Sequence, residues 1–316
     1  MRTRIPTRSA AGLTGLTLFA AVATPPTSAE LLLYEGFDYA VSSNLVGQNG
    51  GDWDPTRAWT TGGPSNGSIN AATVVNGLTF SDYAVTGNAA QVVNNHNGSG
   101  PYQSFNAGRQ LPSGFSTPAG SDIWVSFLFN QDENGSFANE TGLTFADSVD
   151  NVQRKLQSRT VTLFGDNNPD NAAVGADNGV GTSSGAVIAQ DTTYLAVSKF
   201  TNVNGPTFSS NTGTMWVLEA SDWDAIKTGP LDEAALDANN LLKVDHAPGN
   251  TFVVDLTSDD FLRLDTVTGF GINNRAEFDE IRVGTTLDSV VVIPEPSSIL
   301  LAALGGLAML GRRRHR

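Results

Sequence analysis

Apolar and polar residues alternate in short stretches between residues 30 and 290. The clearest stretch is 122–129, where an isoleucine, a valine and two phenylalanines take every second position. A period of two predicts a β-strand whose successive side chains point to opposite faces. We therefore predict that the odd-numbered positions of this stretch face the core, and that Trp124 and Leu128 point the other way.

Similar stretches recur along the chain, separated by clusters of Gly, Asn, Asp and Ser that favour turns. Longer loops are predicted at 44–64 and 166–185, and one short helix or structured loop at 221–242. The predicted strands are 31–39, 68–75, 78–80, 89–93, 102–111, 122–129, 141–146, 160–164, 186–190, 193–200, 213–219, 252–256, 267–272 and 278–283. Many short strands with almost no helical periodicity predict an all-β fold, an antiparallel two-sheet β-sandwich, over residues 30–290.

Residues 1–29 have the pattern of a secretory signal peptide. Three arginines lie among the first eight residues, an apolar stretch follows at 10–23, and small residues precede Glu30. We predict a mature start at Glu30, with cleavage after Ala23 as the alternative. An uncleaved membrane anchor is disfavoured because the apolar stretch is short and is followed by two prolines.

The last 25 residues contain three features in a fixed order. Pro294, Glu295 and Pro296 come first, an apolar run follows at 299–310, and a basic cluster closes the chain with Arg312, Arg313, Arg314 and Arg316. The prolines disfavour helix around the tripeptide, so an extended and accessible site is predicted there. The apolar run is shorter than the ~20 residues of a relaxed transmembrane helix, and the arginines are expected to hold its end on the cytoplasmic side.

This order of features resembles the PEP-CTERM sorting signal of Gram-negative bacteria with abundant exopolysaccharide. The resemblance implies that residues 291–316 form a hydrophobic sorting helix that anchors the chain transiently in the inner membrane. It also implies that an exosortase-type enzyme processes the chain near the Pro-Glu-Pro tripeptide. We therefore expect an exported protein of the cell envelope, cell surface or extracellular matrix. An ordinary C-terminal membrane anchor is the alternative, and both interpretations place residues 30–293 outside the cytoplasm.

The charge of the chain excludes one class of partner. Residues 30–293 contain 31 acidic and 11 basic residues. Because binding phosphates needs positive charge, we expect no nucleic-acid partner.

An acidic surface attracts divalent cations. An exported chain could have used disulfides, but this chain contains no cysteine. Its stability must therefore come from a hydrophobic core, and bound metal ions are a second possible source of stability.

Four short motifs are spread along residues 35–286. They are Glu-Gly-Phe-Asp at 35–38, Tyr-Leu-Ala-Val-Ser-Lys at 194–199, Met-Trp-Val-Leu at 215–218 and Phe-Asp-Glu-Ile-Arg-Val-Gly-Thr-Thr at 278–286. This series resembles the laminin-G/concanavalin A-like jelly-roll domains that often precede a PEP-CTERM tail. The resemblance implies two stacked antiparallel sheets with the first and last strands paired. Relatives bind sugars, bind proteins or hydrolyse glycans, so the fold alone does not define a function.

Two carboxylates on the first and last predicted strands form the best candidate metal site. Alternation places Glu35 on an apolar face of its strand and Asp279 on the face of Ile281 and Val283. An ionised, unpaired carboxylate is costly on such a face. A Ca²⁺ ion between the strands would neutralise both, since Ca²⁺ takes carboxylate and carbonyl oxygens, and the resemblance implies a structural calcium in that region. The alternative is that both carboxylates accept backbone hydrogen bonds or contact solvent.

A second acidic stretch has part of the pattern of a calcium loop. Asp166, Asn168 and Asp170 show the alternating spacing of such a loop. However, Pro169 interrupts the stretch, no glycine stands at the sixth position, and no helices are predicted on either side. A solvated loop is therefore predicted instead.

No catalytic arrangement emerges from the sequence, and we expect that the protein is not an enzyme. Glycosidases of this fold need two carboxylates. The Glu-x-Asp strand motif of laminarinase-type enzymes is absent from the sequence. Glu277 and Asp279 share a predicted face, but they belong to the closing motif and not to a central cleft strand. Residues 181–185 match Gly-x-Ser-x-Gly without the strand–turn–helix context that activates a serine. His96 and His246 are expected at the surface. A divergent glycan hydrolase of this fold is the alternative function.

A binding role is easier to reconcile with the sequence. Sugar sites place aromatic rings beside amide and carboxylate groups, and Trp53, Trp59, Tyr102, Trp124 and Trp223 lie in predicted loops, at strand edges or away from the core. The alternative for each tryptophan is partial burial. We expect an exported structural or adhesive protein, with polysaccharide, in particular exopolysaccharide, as its candidate ligand.

Overall fold

The structure is a computed structural model. It describes residues 30–50, 53–62, 71–95, 102–134, 140–149, 154–161, 171–176, 181–184, 188–203, 212–246, 255–269 and 273–291. The predicted signal peptide and the predicted sorting segment from residue 292 onward lie outside these ranges.

The described ranges form strands and a few short helices. The strands are β1 (Leu31–Glu35), β2 (Thr60–Gly62), β3 (Ala71–Asn76), β4 (Asn88–Asn95), β5 (Tyr102–Gln110), β6 (Ser121–Asn134), β7 (Glu140–Ala146), β8 (Arg154–Val161), β9 (Asn171–Ala176), β10 (Gly181–Ser184), β11 (Thr193–Val203), β12 (Gly213–Leu218), β13 (Leu242–His246), β14 (Phe261–Gly269) and β15 (Asn273–Gly284). The helices are α1 (Ala220–Ile226), α2 (Glu233–Ala238) and α3 (Leu287–Val290). Within the described ranges, none of these helices has the length and apolarity needed to cross a membrane.

The strands form two antiparallel sheets. The eight-stranded sheet has the order β13-β12-β11-β6-β15-β4-β3, with β1 also paired to β15. The seven-stranded sheet has the order β10-β9-β8-β7-β14-β5-β2. The prediction of an all-β, two-sheet antiparallel sandwich is therefore confirmed. The predicted pairing of the first and last strands is confirmed as well, with Leu33 opposite Val283 and Tyr34 opposite Arg282.

A first hydrophobic cluster fills the space between the two sheets. On β6 it contains Ile123, Val125, Phe127 and Phe129, as alternation predicts. The seven-stranded sheet contributes Phe105, Ala107, Leu143, Phe145, Leu156, Leu262 and Leu264. Because burying one large apolar side chain contributes about 1.5–3 kcal/mol, this cluster holds the sheets together.

A second hydrophobic cluster lies on the outer face of the eight-stranded sheet. In it, Trp124 on β6 stacks on Trp216 on β12, with ring centroids 5.9 Å apart. The three helices and the segment 78–83 cover these rings with Leu78, Phe80, Tyr83, Trp223, Ile226, Leu236, Leu287 and Val290. Trp124 thus points away from the first cluster, as predicted, and it is buried there by the covering helices.

Some segments differ from the predictions. The predicted loop 166–185 contains β9 and β10, whose Ala, Gly, Ser and Asn residues give no alternation of large apolar side chains. Residues 78–80, 188–190 and 255–256, which belong to predicted strands, lie outside the strands. Leu78 and Phe80 alternate because they pack onto the second cluster. The region 221–242 contains two short helices where one short helix or a structured loop was expected.

Candidate functional site

Glu35 ends β1 and faces the first hydrophobic cluster. Leu33 and Phe37 belong to that cluster, as predicted, and Glu35 is only 2% exposed. Its carboxylate accepts hydrogen bonds from Arg109 Nη1 at 2.8 Å, from the Phe37 N–H at 3.0 Å and from the Tyr39 hydroxyl at 3.2 Å. Burial raises the pKa of Glu35, and the Arg109 charge and these hydrogen bonds oppose the shift.

Arg109 comes from β5 of the seven-stranded sheet and is fully buried. Its guanidinium donates to the carbonyl oxygens of Arg57 at 2.6 Å, Gly50 at 3.1 Å and Asp54 at 3.2 Å. It also lies 4.8 Å from the centroid of the Trp53 ring. Because a buried charge needs pairing and hydrogen bonds, this arrangement connects the two sheets and the loop that follows β1.

A β-bulge in β15 changes the predicted alternation at Asp279. Between Asp279 and Arg282 the register advances by three residues on β15 but by two on β6. One residue is therefore extra, and the alternation reverses at that point. Ile281 and Val283 belong to the first cluster, whereas Asp279 faces the residues that cover the outer side of the sheet. The prediction that Asp279 shares the face of Ile281 and Val283 was wrong for this reason.

The Asp279 carboxylate is fully buried and accepts two backbone hydrogen bonds. The Leu78 N–H donates to Oδ2 at 2.9 Å and the Glu280 N–H donates to Oδ1 at 2.7 Å. Burial raises the pKa of Asp279 to about 8; these N–H groups oppose the shift, and the charges of Glu280 and Glu35 add to it. Burial therefore favours the protonated form of the Asp279 carboxyl.

Glu280 is the second buried acid of the bulge and has a φ of 49°. Its Oε1 accepts from the Thr86 N–H at 2.6 Å and the Tyr34 hydroxyl at 3.0 Å, and its Oε2 accepts from Arg282 Nη2 at 2.8 Å. Burial raises the pKa of the Tyr34 hydroxyl to about 12. A positive φ is unfavourable for a glutamate, so these contacts hold a strained residue in place.

The predicted calcium site needs Glu35 and Asp279 to converge on one ion. The structure directs Glu35 toward the first cluster and Asp279 toward the segment that contains Leu78, and it gives each carboxylate its own protein donors. Across the ranges that the structure describes, no three or more His, Asp or Glu side chains are grouped as a metal site. The calcium site stays a prediction. The residues Asp166, Asn168 and Asp170 lie outside the described ranges.

All five tryptophans of the chain are buried, each at most 5% exposed. The first cluster contains Trp53 and Trp59, and the second contains Trp124, Trp216 and Trp223. Burial, the alternative interpretation, is therefore the one that holds for these residues. An open sugar platform built from tryptophan rings is excluded.

A row of five polar side chains crosses the outer face of the eight-stranded sheet, beside the second cluster. Thr73 lies opposite Gln91, Gln91 opposite Glu277, Glu277 opposite Asn130, and Asn130 opposite Thr193. Each of the five residues is adjacent in its strand to a residue of the first cluster, namely Val74, Val92, Phe278, Phe129 and Tyr194. Alternation therefore turns the row outward. All five side chains are half-buried, and we name this set the polar row.

The polar row presents hydroxyl, amide and carboxylate groups on a rigid sheet. Gln91 Nε2 donates to Glu277 Oε1 at 2.7 Å, which orients both side chains. Hydroxyls and amides both donate and accept hydrogen bonds, and the carboxylate accepts them. At the border of the row, Arg275 Nη2 lies 3.3 Å from Asp191 Oδ1. Such a set of groups suits a ligand rich in hydroxyls.

An open cleft adjoins the polar row at the edge of the sandwich. Its volume is ≈ 520 Å³, and its lining includes Ser42, Asn44, Val46, Thr61, Thr73 and Phe105. Small-ligand sites typically have about 300–1,000 Å³. Thr73 belongs both to this cleft and to the polar row, so the two features adjoin.

The hydrolase alternative needs two accessible carboxylates. Glu277 is half-buried in the polar row, but Asp279 is fully buried and is held by the N–H groups of Leu78 and Glu280. A retaining glycosidase needs its two carboxyl groups about 5–5.5 Å apart with substrate between them. Glu277 and Asp279 therefore do not form an open acid pair.

The other catalytic candidates have no supporting geometry. Ser183 lies within β10, opposite Ala172 of β9, so it is not on a strand–turn–helix elbow. His246 is the last residue of β13. His96 lies outside the described residues.

Sequence reasoning did not identify Arg109, Glu280 or the polar row. An arginine within the predicted strand 102–111 was a signal for a buried partner of Glu35, because a buried charge needs pairing. The polar row has no local signal, since its five residues come from five separate strands. They meet only through the register of the sheet.

The C-terminal segment matches a known family model. The model of the PEP-CTERM protein-sorting motif covers residues 292–314. The chain therefore carries this sorting motif, which includes Pro294, Glu295, Pro296 and the arginines 312–314. The motif implies export, membrane anchoring of the C-terminal segment and processing by an exosortase. No curated protein matches the chain.

Several solved structures resemble the chain distantly. The carbohydrate recognition domain of Emp47p is 8% identical, with 84% of this chain and 100% of that chain covered and a TM-score of 0.40. A prokaryotic β-1,3-1,4-glucanase (lichenase) derived from a mouse hindgut metagenome is 12% identical, with coverage of 80% and 99% and a TM-score of 0.38. Lectin I-B4 from Griffonia simplicifolia is 9% identical, with coverage of 75% and 95% and a TM-score of 0.30.

Proposed function

We propose that the protein is a non-enzymatic, structural or adhesive component of the cell surface or extracellular matrix, and that it binds polysaccharide through the polar row. The observation that supports this function is the alignment of Thr73, Gln91, Glu277, Asn130 and Thr193 across five neighbouring strands. Five neighbouring strands span ~19 Å between the first and the last. That length suits an extended chain better than a single small molecule.

The charge of the domain narrows the ligand class. Residues 30–293 carry 31 acidic residues against 11 basic ones. Since like charges repel, a neutral polysaccharide is the favoured ligand over an anionic one. The exopolysaccharide of the producing cell is the first ligand to test because the chain carries a sorting motif for export.

The test is retention of the purified protein on a panel of immobilised polysaccharides, with calcium and with a chelator. We expect saturable retention on a neutral polysaccharide. The variant Gln91→Ala removes the amide that orients Glu277 and should weaken retention. The control is Asp245→Asn, because Asp245 is exposed on β13 of the same sheet and contacts Thr214 and Lys243 outside the row.

Three results would contradict the proposal. Retention that is absent throughout the panel would remove the binding function, and equal losses in both variants would remove the role of the polar row. Release of new reducing ends that is abolished by Glu277→Gln would support the hydrolase alternative instead.

A further inference from the structure

The sorting motif begins directly after a buried residue. Helix α3 packs against the second cluster, and Leu287, Val290 and Val291 are at most 7% exposed. The Val290 carbonyl accepts hydrogen bonds from the Ser126 hydroxyl at 2.5 Å and from the Tyr83 hydroxyl at 3.4 Å. The motif match starts at residue 292. The motif match therefore begins at the residue that follows the last described residue of the domain.

The first residues of the domain lie beside this exit point. The Glu30 backbone nitrogen donates to Thr285 Oγ1 at 3.2 Å, and the Thr285 N–H donates to the Glu30 carbonyl at 3.0 Å. Leu31 is 44% exposed, and in the part of the chain that the structure describes only Val41 is a comparably exposed large apolar residue. We define the terminal patch as the surface around Glu30, Leu31 and residues 285–291, on which Glu30, Leu31 and Asp288 are exposed.

Chain length limits how far the terminal patch can lie from a membrane. The apolar run of the motif starts at Ile299, eight residues after Val291. Eight extended residues reach at most about 29 Å. Strand β15 has 12 residues, which at ~3.4 Å per residue make it ~40 Å long. When the apolar run lies in the bilayer, the terminal patch can be at most about 29 Å from the start of that run. The other end of β15 is not limited in this way.

We propose that the terminal patch is the membrane-facing surface of the domain while the sorting motif is anchored. The partner is the lipid bilayer, and the exposed Leu31 side chain lies at the headgroup level. The predicted signal peptide ends beside Glu30, so both membrane-directed segments leave the domain from the same patch. Thr193 aligns with Glu277, seven residues back along β15 from Gly284, so the end of the sheet near Thr192 lies ~24 Å along the strand from the patch. In this proposal, that end is the one directed away from the bilayer.

The absence of cysteine from the chain allows a direct test with single labels. Asp288 and Thr192 are both exposed, so Asp288→Cys reports the terminal patch and Thr192→Cys reports the distant end. The full-length chain, with the sorting motif intact, is labelled with an environment-sensitive fluorophore and reconstituted in liposomes that carry a headgroup quencher. We expect a loss of fluorescence at position 288 and little change at position 192. Leu31→Cys is a second patch label in case the first variant does not fold.

The outcomes distinguish a bilayer contact from a protein contact at the terminal patch. Equal quenching at both positions, or stronger quenching at position 192, would overturn the proposal. Quenching of the patch label that appears only when an exosortase is added would assign the patch to that enzyme and would likewise overturn it. A water-soluble quencher serves as the control and should quench both labels in the absence of liposomes.

Discussion

Arg109 and Glu35 join the two sheets of the sandwich through a buried ion pair, with Nη1 and Oε2 2.8 Å apart. Both side chains are almost completely shielded from solvent. Removal of one partner leaves the other charge buried and unpaired, which typically costs about 3–5 kcal/mol. We therefore expect Arg109→Met or Glu35→Gln to lower the free energy of unfolding by that amount. Chemical denaturation of the purified protein measures this loss.

The matched control for this pair is the exposed pair Arg275–Asp191, whose arginine and aspartate side chains are 42% and 69% exposed. Exposed pairs contribute about 0–1 kcal/mol, so Arg275→Met should change stability little. The double variant Arg109→Met/Glu35→Gln should lose less than the sum of the two single losses, since it leaves no unpaired charge. A strictly additive result would show that the buried pair is not coupled.

The raised pKa of Asp279 predicts a dependence of stability on pH. Burial moves the pKa from its ordinary value of 3.8 to about 8 in the folded chain. The folded state therefore binds this proton more tightly than the unfolded state does. The contribution of this proton to the free energy of unfolding is fully present below about pH 4 and is lost as the pH rises through about 8. The free energy of unfolding of the wild type relative to Asp279→Asn should accordingly fall between pH 5 and pH 9.

The control for the pH experiment is Asp259→Asn, because Asp259 is exposed. The difference between wild type and this control should stay nearly constant over the same range. Equal pH profiles for Asp279→Asn and the wild type would show that Asp279 does not titrate in this way.

The calcium hypothesis can be tested with Asp279→Asn and Glu35→Ala. The separate hydrogen-bond partners of Glu35 and Asp279 lead us to expect that any rise of the melting temperature with calcium is the same in the wild type and in Asp279→Asn. Differential scanning fluorimetry with calcium and with a chelator measures this rise. A rise in the wild type that disappears in Asp279→Asn and in Glu35→Ala would establish the predicted calcium site.

Gly87 allows a close approach of two backbone segments. It has a φ of 85°, and a Cβ at this position would clash with the Gly36 carbonyl oxygen. We expect Gly87→Ala to cost about 2–5 kcal/mol, from the left-handed backbone conformation and the overpacking together. Thermal or chemical unfolding measures the loss.

Gly47 is the matched control, since its φ is 91° but a Cβ there would meet nothing within 4 Å. Gly47→Ala should therefore cost only the conformational part, about 1–2 kcal/mol. Equal losses at the two positions would mean that the contact between Gly87 and Gly36 is not tight.

Local patterns in the sequence were sufficient for the class of fold and for the sorting motif. The alternation in 122–129 identified which β6 residues face the first cluster, because successive side chains of a strand always point to opposite faces. The order of tripeptide, apolar run and arginines is also local, and the family model matches it. The pairing of β1 with β15 followed from the resemblance and is seen in the register.

The candidate site depended on relations that local patterns do not contain. One extra residue between Asp279 and Arg282 reversed the face of Asp279, and nothing in the alternation indicates where a strand bulges. Arg109 follows Glu35 by 74 residues, so only the stacking of the two sheets made them partners. The polar row exists because the register aligns one residue from each of five strands. The sequence by itself determined the strand-forming stretches, the core face of β6 and the export motif, because each of these depends on neighbouring residues. The tertiary structure decided the partners of the charged groups and the polar row, because these depend on the register and stacking of distant strands.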